Sequence, residues 1–214
     1  MTARSSERGI VDLLATGVRH LVRIAGAIAG SDERTVRAVM NEAVNGADPR
    51  AVDEVILQSY LFAGFPRALN AARTWRGISG TSAPEPERES APDDLASWRE
   101  RGLRTCELVY GDSYEGLRRN IRRLHPTLDE WMIVDGYGKV LSRPGVDLRT
   151  RELCVVAACA VAGQQRQLHS HLHGALNAGA SLDEVSATLD AIGDLISTDD
   201  LARYHQLLAK VATQ

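Results

Sequence analysis

The chain has 214 residues, of which 44% are hydrophobic and 25% are charged, with a net charge of −3. This length suits one large domain or two small ones, and the balance of charge lacks the basic stripe that a nucleic-acid partner requires. No apolar run approaches the roughly 20 residues of a membrane span, and the polar start Met1–Arg8 lacks the apolar region of a signal peptide. We therefore expect a cytoplasmic protein with neither nucleic-acid nor membrane partners.

Apolar residues recur at helical spacing along almost the whole chain, and no convincing alternating strand pattern occurs. The pattern predicts an all-α protein. Start signals include Ser31 before Asp-Glu, Asp48-Pro49, and the capping box that begins at Ser181. The predicted helices lie at about 7–29, 32–45, 50–63, 66–77, 94–109, 113–123, 127–135, 149–162, 165–178, 182–195 and 198–212.

The stretch from Gly77 to Asp94 is rich in Pro, Ser, Gly and acidic residues and has no apolar period, as is typical of a linker. It predicts an N-terminal unit over 1–78, a linker over 79–93 and a C-terminal unit over 94–214. The units resemble copies of each other: Gly30 and Gly46 recur as Gly163 and Gly179, and Asp53-Glu54-Val55 recurs as Asp183-Glu184-Val185. The sequence thus predicts an internal repeat, and we call the units the N-terminal and C-terminal copies.

The densest cluster of polar chemistry is the LHSHLH segment from Leu168 to His173. On a helix, alternate positions lie about 200° apart, so His169, His171 and His173 cannot converge on one metal ion. Surface histidines are therefore the favoured interpretation of His169 and His173, and no metal site is predicted. We interpret the three cysteines as small buried apolar residues rather than as a redox pair. They are Cys106, Cys154 and Cys159.

His171 acquires a second interpretation from Glu152, which lies in the first turn of the helix predicted before it. A Glu at that position often only complements the helix dipole. Alternatively, Glu152 and His171 could face one pocket from two packed helices and form an acid–base pair near neutral pH. Sequence spacing alone leaves both interpretations open.

The segment from Tyr137 to Val185 closely resembles the core of the carboxymuconolactone decarboxylase family. The resemblance rests on Tyr137-Gly138, Ser142–Gly145, Asp147–Leu153, Gly163, His171 and Ala175–Gly179. The segment Leu61–Ile78 of the N-terminal copy resembles the family's Gly-Phe-Pro helix, whereas Arg19 and Ala38 stand there in place of Glu152 and His171. The resemblance implies two tandem alkylhydroperoxidase D-like helical repeats packed as a pseudo-dimer, one site completed by Phe65 and Pro66, and a homo-oligomer.

The same resemblance implies a cofactor-free lyase of aromatic catabolism that removes the carboxylate of a small γ-carboxylactone. Its catalytic residues would be His171 as the acid and Glu152 as its partner, and Tyr137 would donate to the lactone oxygen or simply pack. Arg143 and Arg151 would bind the substrate carboxylate or form ion pairs at loop and helix ends.

Three other functions stay open: a lyase or hydrolase for another lactone or a β-keto acid, a non-catalytic degenerate member, and an alkylhydroperoxidase. Peroxidase chemistry is disfavoured because Gln164 and Gln167 stand at the positions of the required CxxC.

Overall fold

A computed structural model describes residues 13–85 and 95–213, and within these ranges the chain is all-α, without a strand. The predicted fold class is thus confirmed. The helices are α1 Thr16–Gly30, α2 Glu33–Ala43, α3 Pro49–Ser79, α4 Leu95–Tyr110, α5 Tyr114–Leu124, α6 Pro126–Trp131, α7 Leu148–Val161, α8 Gln165–Asn177, α9 Leu182–Ala191 and α10 Thr198–Val211. Short 3₁₀ turns lie at Gly111–Ser113 and Gly193–Leu195. In the described part of the chain, no helix is long and apolar enough to cross a membrane.

Most predicted helices occur close to their expected bounds, because their ends carry the expected capping groups. Asp32 accepts a hydrogen bond from the backbone N–H of Thr35 at the start of α2, and the capping box of Ser181 and Glu184 starts α9. The cap of α2 is Asp32, not Ser31. The first helix was expected from about residue 7, but α1 begins at Thr16, and residues 7–12 lie outside the described ranges.

The two helices predicted at 50–63 and 66–77 are the two halves of α3, which is interrupted at Gly64. Gly64 has φ 75° and ψ 163°, a conformation that a side chain would strain. Pro66 follows within the first turn of the second half, where its missing N–H costs no helical hydrogen bond. The predicted break is therefore confirmed.

The helix predicted at 127–135 is longer than expected, because α6 continues as a π-helix over Met132–Leu141. This segment packs so closely against α4 that the backbones of the two elements are in direct contact. A Cβ on Gly138 would lie 2.2 Å from the Trp98 carbonyl oxygen, and a Cβ on Gly102 would lie 2.0 Å from that of Ile133. The two glycines thus allow the contact, which places Tyr137 in the core.

The centre of the molecule is the crossing of α1 and α7, one helix from each predicted copy. At Gly26 and Gly30 of α1, a Cβ would come within 2.9 Å of the Val161 side chain. One apolar core consequently joins both halves. The helix order α1, α2 and the two halves of α3 parallels the order α7, α8, α9 and α10.

The glycines that suggested the repeat have different roles in the two halves. Gly163 and Gly179 end α7 and α8 with positive φ values of 68° and 96°. Gly30 instead allows the close contact with α7, and Gly46 makes room for the ring of His20. The origin of the two halves by duplication stays a prediction.

Candidate active site

Glu152 and His171 form one hydrogen-bonded pair between α7 and α8. Asp147 caps α7 by accepting from the backbone N–H of Thr150, which places Glu152 in the second turn of a buried helix. The turn after Val161 returns the chain along α7, and His171 Nδ1 lies 2.8 Å from Glu152 Oε2. Glu152 is 0% exposed and His171 is 6% exposed. The structure therefore brings the two side chains into contact, and their role as an acid–base pair stays a prediction.

Gly174, one turn after His171, makes room for the carboxylate. A Cβ at this position would lie 2.7 Å from Glu152 Oε2 and 2.7 Å from a methyl group of Val109. Alanine would therefore collide with the hydrogen-bonded oxygen itself. Gly174 is part of the site, and the sequence analysis did not identify it.

The second carboxylate oxygen, Glu152 Oε1, is buried and has no hydrogen-bond partner among the described residues. Leaving such a group unpaired costs roughly 1–3 kcal/mol, and unpaired buried polar atoms are rare in folded proteins. An ionised Glu152 can only accept, so it pairs with the tautomer of His171 that carries its proton on Nδ1, and Nε2 is then the reactive atom. The pair can thus exchange a proton through His171 Nε2 and bind a donor at Glu152 Oε1.

Two aromatic rings flank His171, one from each predicted copy. Phe62 of α3 and Tyr110 of α4 each have their ring centroid 6.2 Å from that of His171, in edge-on orientations. Sequence analysis singled out neither residue. Phe62 falls within the Leu61–Ile78 motif, three residues before the predicted Phe65, whereas Tyr110 had no signal in the sequence.

Tyr137, predicted to donate to a substrate oxygen, lies behind Tyr110, with ring centroids 6.1 Å apart. Burial raises the pKa of Tyr137 well above its usual value, and burial also raises the pKa of Tyr110. Both phenols therefore keep their protons near neutral pH and can donate. Tyr110 lies nearer the histidine and is the better placed donor.

Phe65 and Pro66, predicted to complete the pocket, are not brought to the pair. Phe65 is 64% exposed and stacks on Tyr60, with ring centroids 4.9 Å apart. Pro66 is also exposed. The interruption at Gly64 turns both residues away, so the N-terminal copy contributes Phe62 instead.

Arg143 and Arg151 both bind Glu54 of the N-terminal copy. Arg143 Nη2 lies 2.9 Å from Glu54 Oε1, and Arg151 Nη2 lies 2.7 Å from Oε2. Arg151 is completely buried and also donates to Gln58 and to the carbonyl oxygens of Val146 and Pro144. The geometry matches the ion-pair interpretation of these arginines, and neither is directed at the Glu152–His171 pair as an anion clamp.

The remaining candidates lie apart from the pair. His169 and His173 contact each other edge-on at 5.1 Å, and Gln164 and Gln167 are exposed at the start of α8. The cysteines are free and buried, and burial raises the pKa of Cys106, Cys154 and Cys159 to about 12 each. Within residues 13–85 and 95–213, no group of three or more His, Cys, Asp or Glu side chains is arranged to hold a metal ion.

Comparison with known proteins agrees with the sequence motif. Residues 130–198 match the model of the carboxymuconolactone decarboxylase family, and this range contains Glu152, His171, Gly174 and Tyr137. The chain is also similar to a Schizosaccharomyces pombe protein described as "Peroxisomal protein 2", with 26% identity over 170 residues, 78% of this chain and 79% of the relative. The predicted resemblance is thereby confirmed: residues 130–198 match the model of the carboxymuconolactone decarboxylase family.

Proposed function

We propose that the protein is a cofactor-free lyase that decarboxylates a small γ-carboxylactone. The observation that carries this proposal is the buried 2.8 Å contact between His171 Nδ1 and Glu152 Oε2, which leaves His171 Nε2 without a hydrogen-bond partner in the described structure. A histidine oriented in this way by a carboxylate is a common arrangement for proton transfer.

The proposed reaction needs one proton and no electron acceptor outside the substrate. The bond from the γ-carbon to the carboxylate breaks, carbon dioxide leaves, and the electron pair enters the lactone as a dienolate. His171 then delivers the proton on Nε2 to carbon, while Glu152 stabilises the imidazolium form. Tyr110 donates to the lactone oxygen that bears the developing charge, and Phe62 packs against the substrate ring. Solvent returns the proton to His171.

The same pair would serve a lyase or hydrolase for a different lactone or a β-keto acid. Turnover of a panel of γ-carboxylactones, unsubstituted lactones and β-keto acids separates these substrate classes. Preference for the γ-carboxylactone supports the proposal. Preference for another compound of the panel would identify the class of that compound as the substrate instead.

A non-catalytic role is the second candidate, and the near-complete burial of Glu152 and His171 favours it. Three surface clefts, with volumes of about 430, 220 and 520 Å³, are lined by other residues. A protein without turnover on the whole panel would therefore be assigned to this second candidate. An alkylhydroperoxidase would need thiols at the two positions where this chain has Gln164 and Gln167.

We expect His171→Ala to lower kcat/KM on the γ-carboxylactone by about 100-fold or more, because a positioned general acid typically contributes that much. His173→Ala is the matched control, since it removes an imidazole from the same helix outside the pair. Steady-state kinetics and circular dichroism of both variants test the assignment. Equal turnover by the wild type and a folded His171→Ala protein would contradict it.

Glu152→Gln keeps the size of the side chain and removes its charge. We expect slower turnover, because a neutral amide stabilises the imidazolium that delivers the proton less than a carboxylate does. Steady-state kinetics on the γ-carboxylactone measure this loss. Turnover equal to that of the wild type would leave Glu152 with a structural role only.

The proposal includes a small-molecule substrate and a homo-oligomer. Phe65 and Leu69, one turn apart on α3, are both more than half exposed, and a second subunit that covered them would remove their apolar surface from water. Light scattering after size-exclusion chromatography gives the oligomeric state. The cytoplasmic location stays a prediction, because the relative is named for the peroxisome.

A further inference from the structure

A cleft of about 430 Å³ lies between the first two turns of α8 and one face of α10. Its cationic side chains are Arg166, Arg203 and Lys210, with His169 beside them, and Tyr204 and Leu207 supply an apolar wall. We call this site the cationic cleft. His169 precedes His171 by two residues on α8, so the cleft lies on the opposite side of this helix from the Glu152–His171 pair.

The charge of the cationic cleft is only partly balanced. Arg203 pairs with Asp200 one turn earlier on α10, and with the Gln165 amide oriented toward it, Arg203 Nη2 donates to the Gln165 oxygen at 3.0 Å. The side chains of Arg166 and Lys210 form no ion pair with any residue that the structure describes. None of the described residues that line the cleft is an acid. Two cations therefore face the cleft without a counter-ion among residues 13–85 and 95–213.

The N-terminal copy contains a counterpart of this cleft, of about 220 Å³, between the start of α2 and the second half of α3. Four residues of α3 line it with the same spacing as four residues of α10 line the cationic cleft. These are Arg67, Asn70, Ala71 and Thr74 on α3, and Arg203, Gln206, Leu207 and Lys210 on α10. The equivalent helices of the two halves thus form the same kind of groove twice.

The two grooves differ in charge at the start of their shorter helix. The register that pairs Gly30 with Gly163 pairs Asp32 with Gln165 and Glu33 with Arg166. Two acidic residues in the N-terminal copy are therefore replaced by a neutral and a basic residue in the C-terminal copy. The change makes the cationic cleft more positive than its counterpart.

In the counterpart, groups of the protein satisfy the polar atoms. Asp32 caps α2, Glu33 accepts from Asn70 at 2.8 Å, and Arg67 donates to the carbonyl oxygens of Ile28 and Ser31. In the cationic cleft, Gln164 precedes α8 without a capping hydrogen bond. The carboxylate of Glu33 thus lines the counterpart. Arg166 stands at the corresponding position of the cationic cleft, which therefore has no carboxylate there.

We propose that the cationic cleft binds a compact polyanion, a small molecule with two or more phosphate or carboxylate charges. Its anionic groups take the place that the carboxylates of Asp32 and Glu33 occupy in the N-terminal copy. Arg166 and Arg203 bind them through paired N–H donors, and Lys210 supplies a third positive charge. This site is independent of the proposed lyase activity.

Titration calorimetry of the full chain with pyrophosphate, and separately with citrate, tests the proposal. We expect saturable binding of at least one of these anions with one site per chain, weakening as salt is added. Binding of pyrophosphate alone identifies a phosphate site, and binding of citrate alone identifies a carboxylate site. Absence of saturable binding by both anions at low salt overturns the proposal.

Charge variants locate the bound anion. Arg166→Gln and Lys210→Gln should each weaken binding by about 10-fold, the effect of losing roughly 1.4 kcal/mol of interaction, whereas Arg37→Gln on the exposed face of α2 should have little effect. Arg166→Glu supplies the acid that Glu33 supplies in the N-terminal copy, so it should abolish binding while the circular dichroism spectrum stays unchanged. Equal affinity of the wild type and the two cleft variants would place the bound anion elsewhere and contradict the proposal.

Discussion

Glu54 connects the two predicted copies through a charged network rather than through apolar packing. It belongs to the N-terminal copy but binds Arg143 and Arg151 of the C-terminal copy. Its predicted counterpart Glu184 has a different role: it binds Arg149 at 2.6 Å and completes the cap at Ser181. The sequence repeat pairs these two acids, but it contains no information about their different partners.

We expect Glu54→Gln to destabilise the protein by about 3 kcal/mol, because Arg151 is fully buried and would lose its counter-charge. Urea unfolding at pH 7 measures the loss. Glu107→Gln, at an exposed position on α4, is the control and should change the free energy of unfolding by less than about 0.5 kcal/mol.

The effect of Glu54→Gln should also depend on pH. Burial by itself would raise the pKa of Glu54, but the hydrogen bonds and charges of Arg143 and Arg151 outweigh it, and the pKa is lowered from its usual value of 4.5. Glu54 therefore stabilises the fold above pH 4.5, and this contribution is lost as the pH falls below 4.5 through the lowered pKa. The difference in unfolding free energy between wild type and variant should accordingly shrink in acid. A difference of equal size at pH 7 and pH 3 would contradict this explanation.

The candidate site could be predicted in part from the sequence. The motif indicated Glu152 and His171, and helical spacing placed them on two neighbouring helices. Their 2.8 Å contact depends on how α7 packs on α8, and Gly174 permits that packing. Phe62 and Tyr110 come from distant parts of the chain, so only the tertiary fold brings them to the histidine.

Among the elements, the π-helix Met132–Leu141 departs most from its predicted form. An apolar period of 3.6 residues identifies α-helices, but a π-helix closes its hydrogen bonds one residue further along and follows another period. The sequence therefore predicted an end near residue 135. The Tyr137-Gly138 part of the family motif lies within this segment, and its glycine has a physical role in the contact with α4.

We expect Gly138→Ala to destabilise the protein by about 1–3 kcal/mol, since its Cβ would lie 2.2 Å from the Trp98 carbonyl oxygen and force the helices apart. Gly136→Ala is a matched control in the same element, where a Cβ meets nothing within 4 Å. The control should be neutral or stabilising by up to about 1 kcal/mol, because alanine restricts the unfolded chain. Thermal unfolding of both variants compares them, and equal losses at the two positions would contradict the close-contact role of Gly138.

For the molecule as a whole, the composition of residues 79–93 predicted a linker between two units but not how strongly those units associate. In the structure, α1 of one unit crosses α7 of the other at Gly26 and Gly30, and Phe62 of the first contacts His171 of the second. Such contacts join residues far apart in sequence, and a helical pattern does not specify which faces meet. The predicted division into two copies stays a prediction, and the contacts between the two units come from the tertiary fold alone.

A protease site inserted after Ala83 tests whether the two units depend on each other. We expect the two fragments to elute together after cleavage, because the shared core and the ion pairs of Glu54 hold them without the covalent link. Separation of the fragments then becomes part of unfolding, so the midpoint should rise more steeply with protein concentration in the cleaved protein than in the uncleaved control. Size-exclusion chromatography and thermal unfolding at several concentrations measure both effects. Two separately eluting, folded fragments would instead show that each copy is an independent domain, and the site flanked by Phe62 and Tyr110 would then be lost on cleavage.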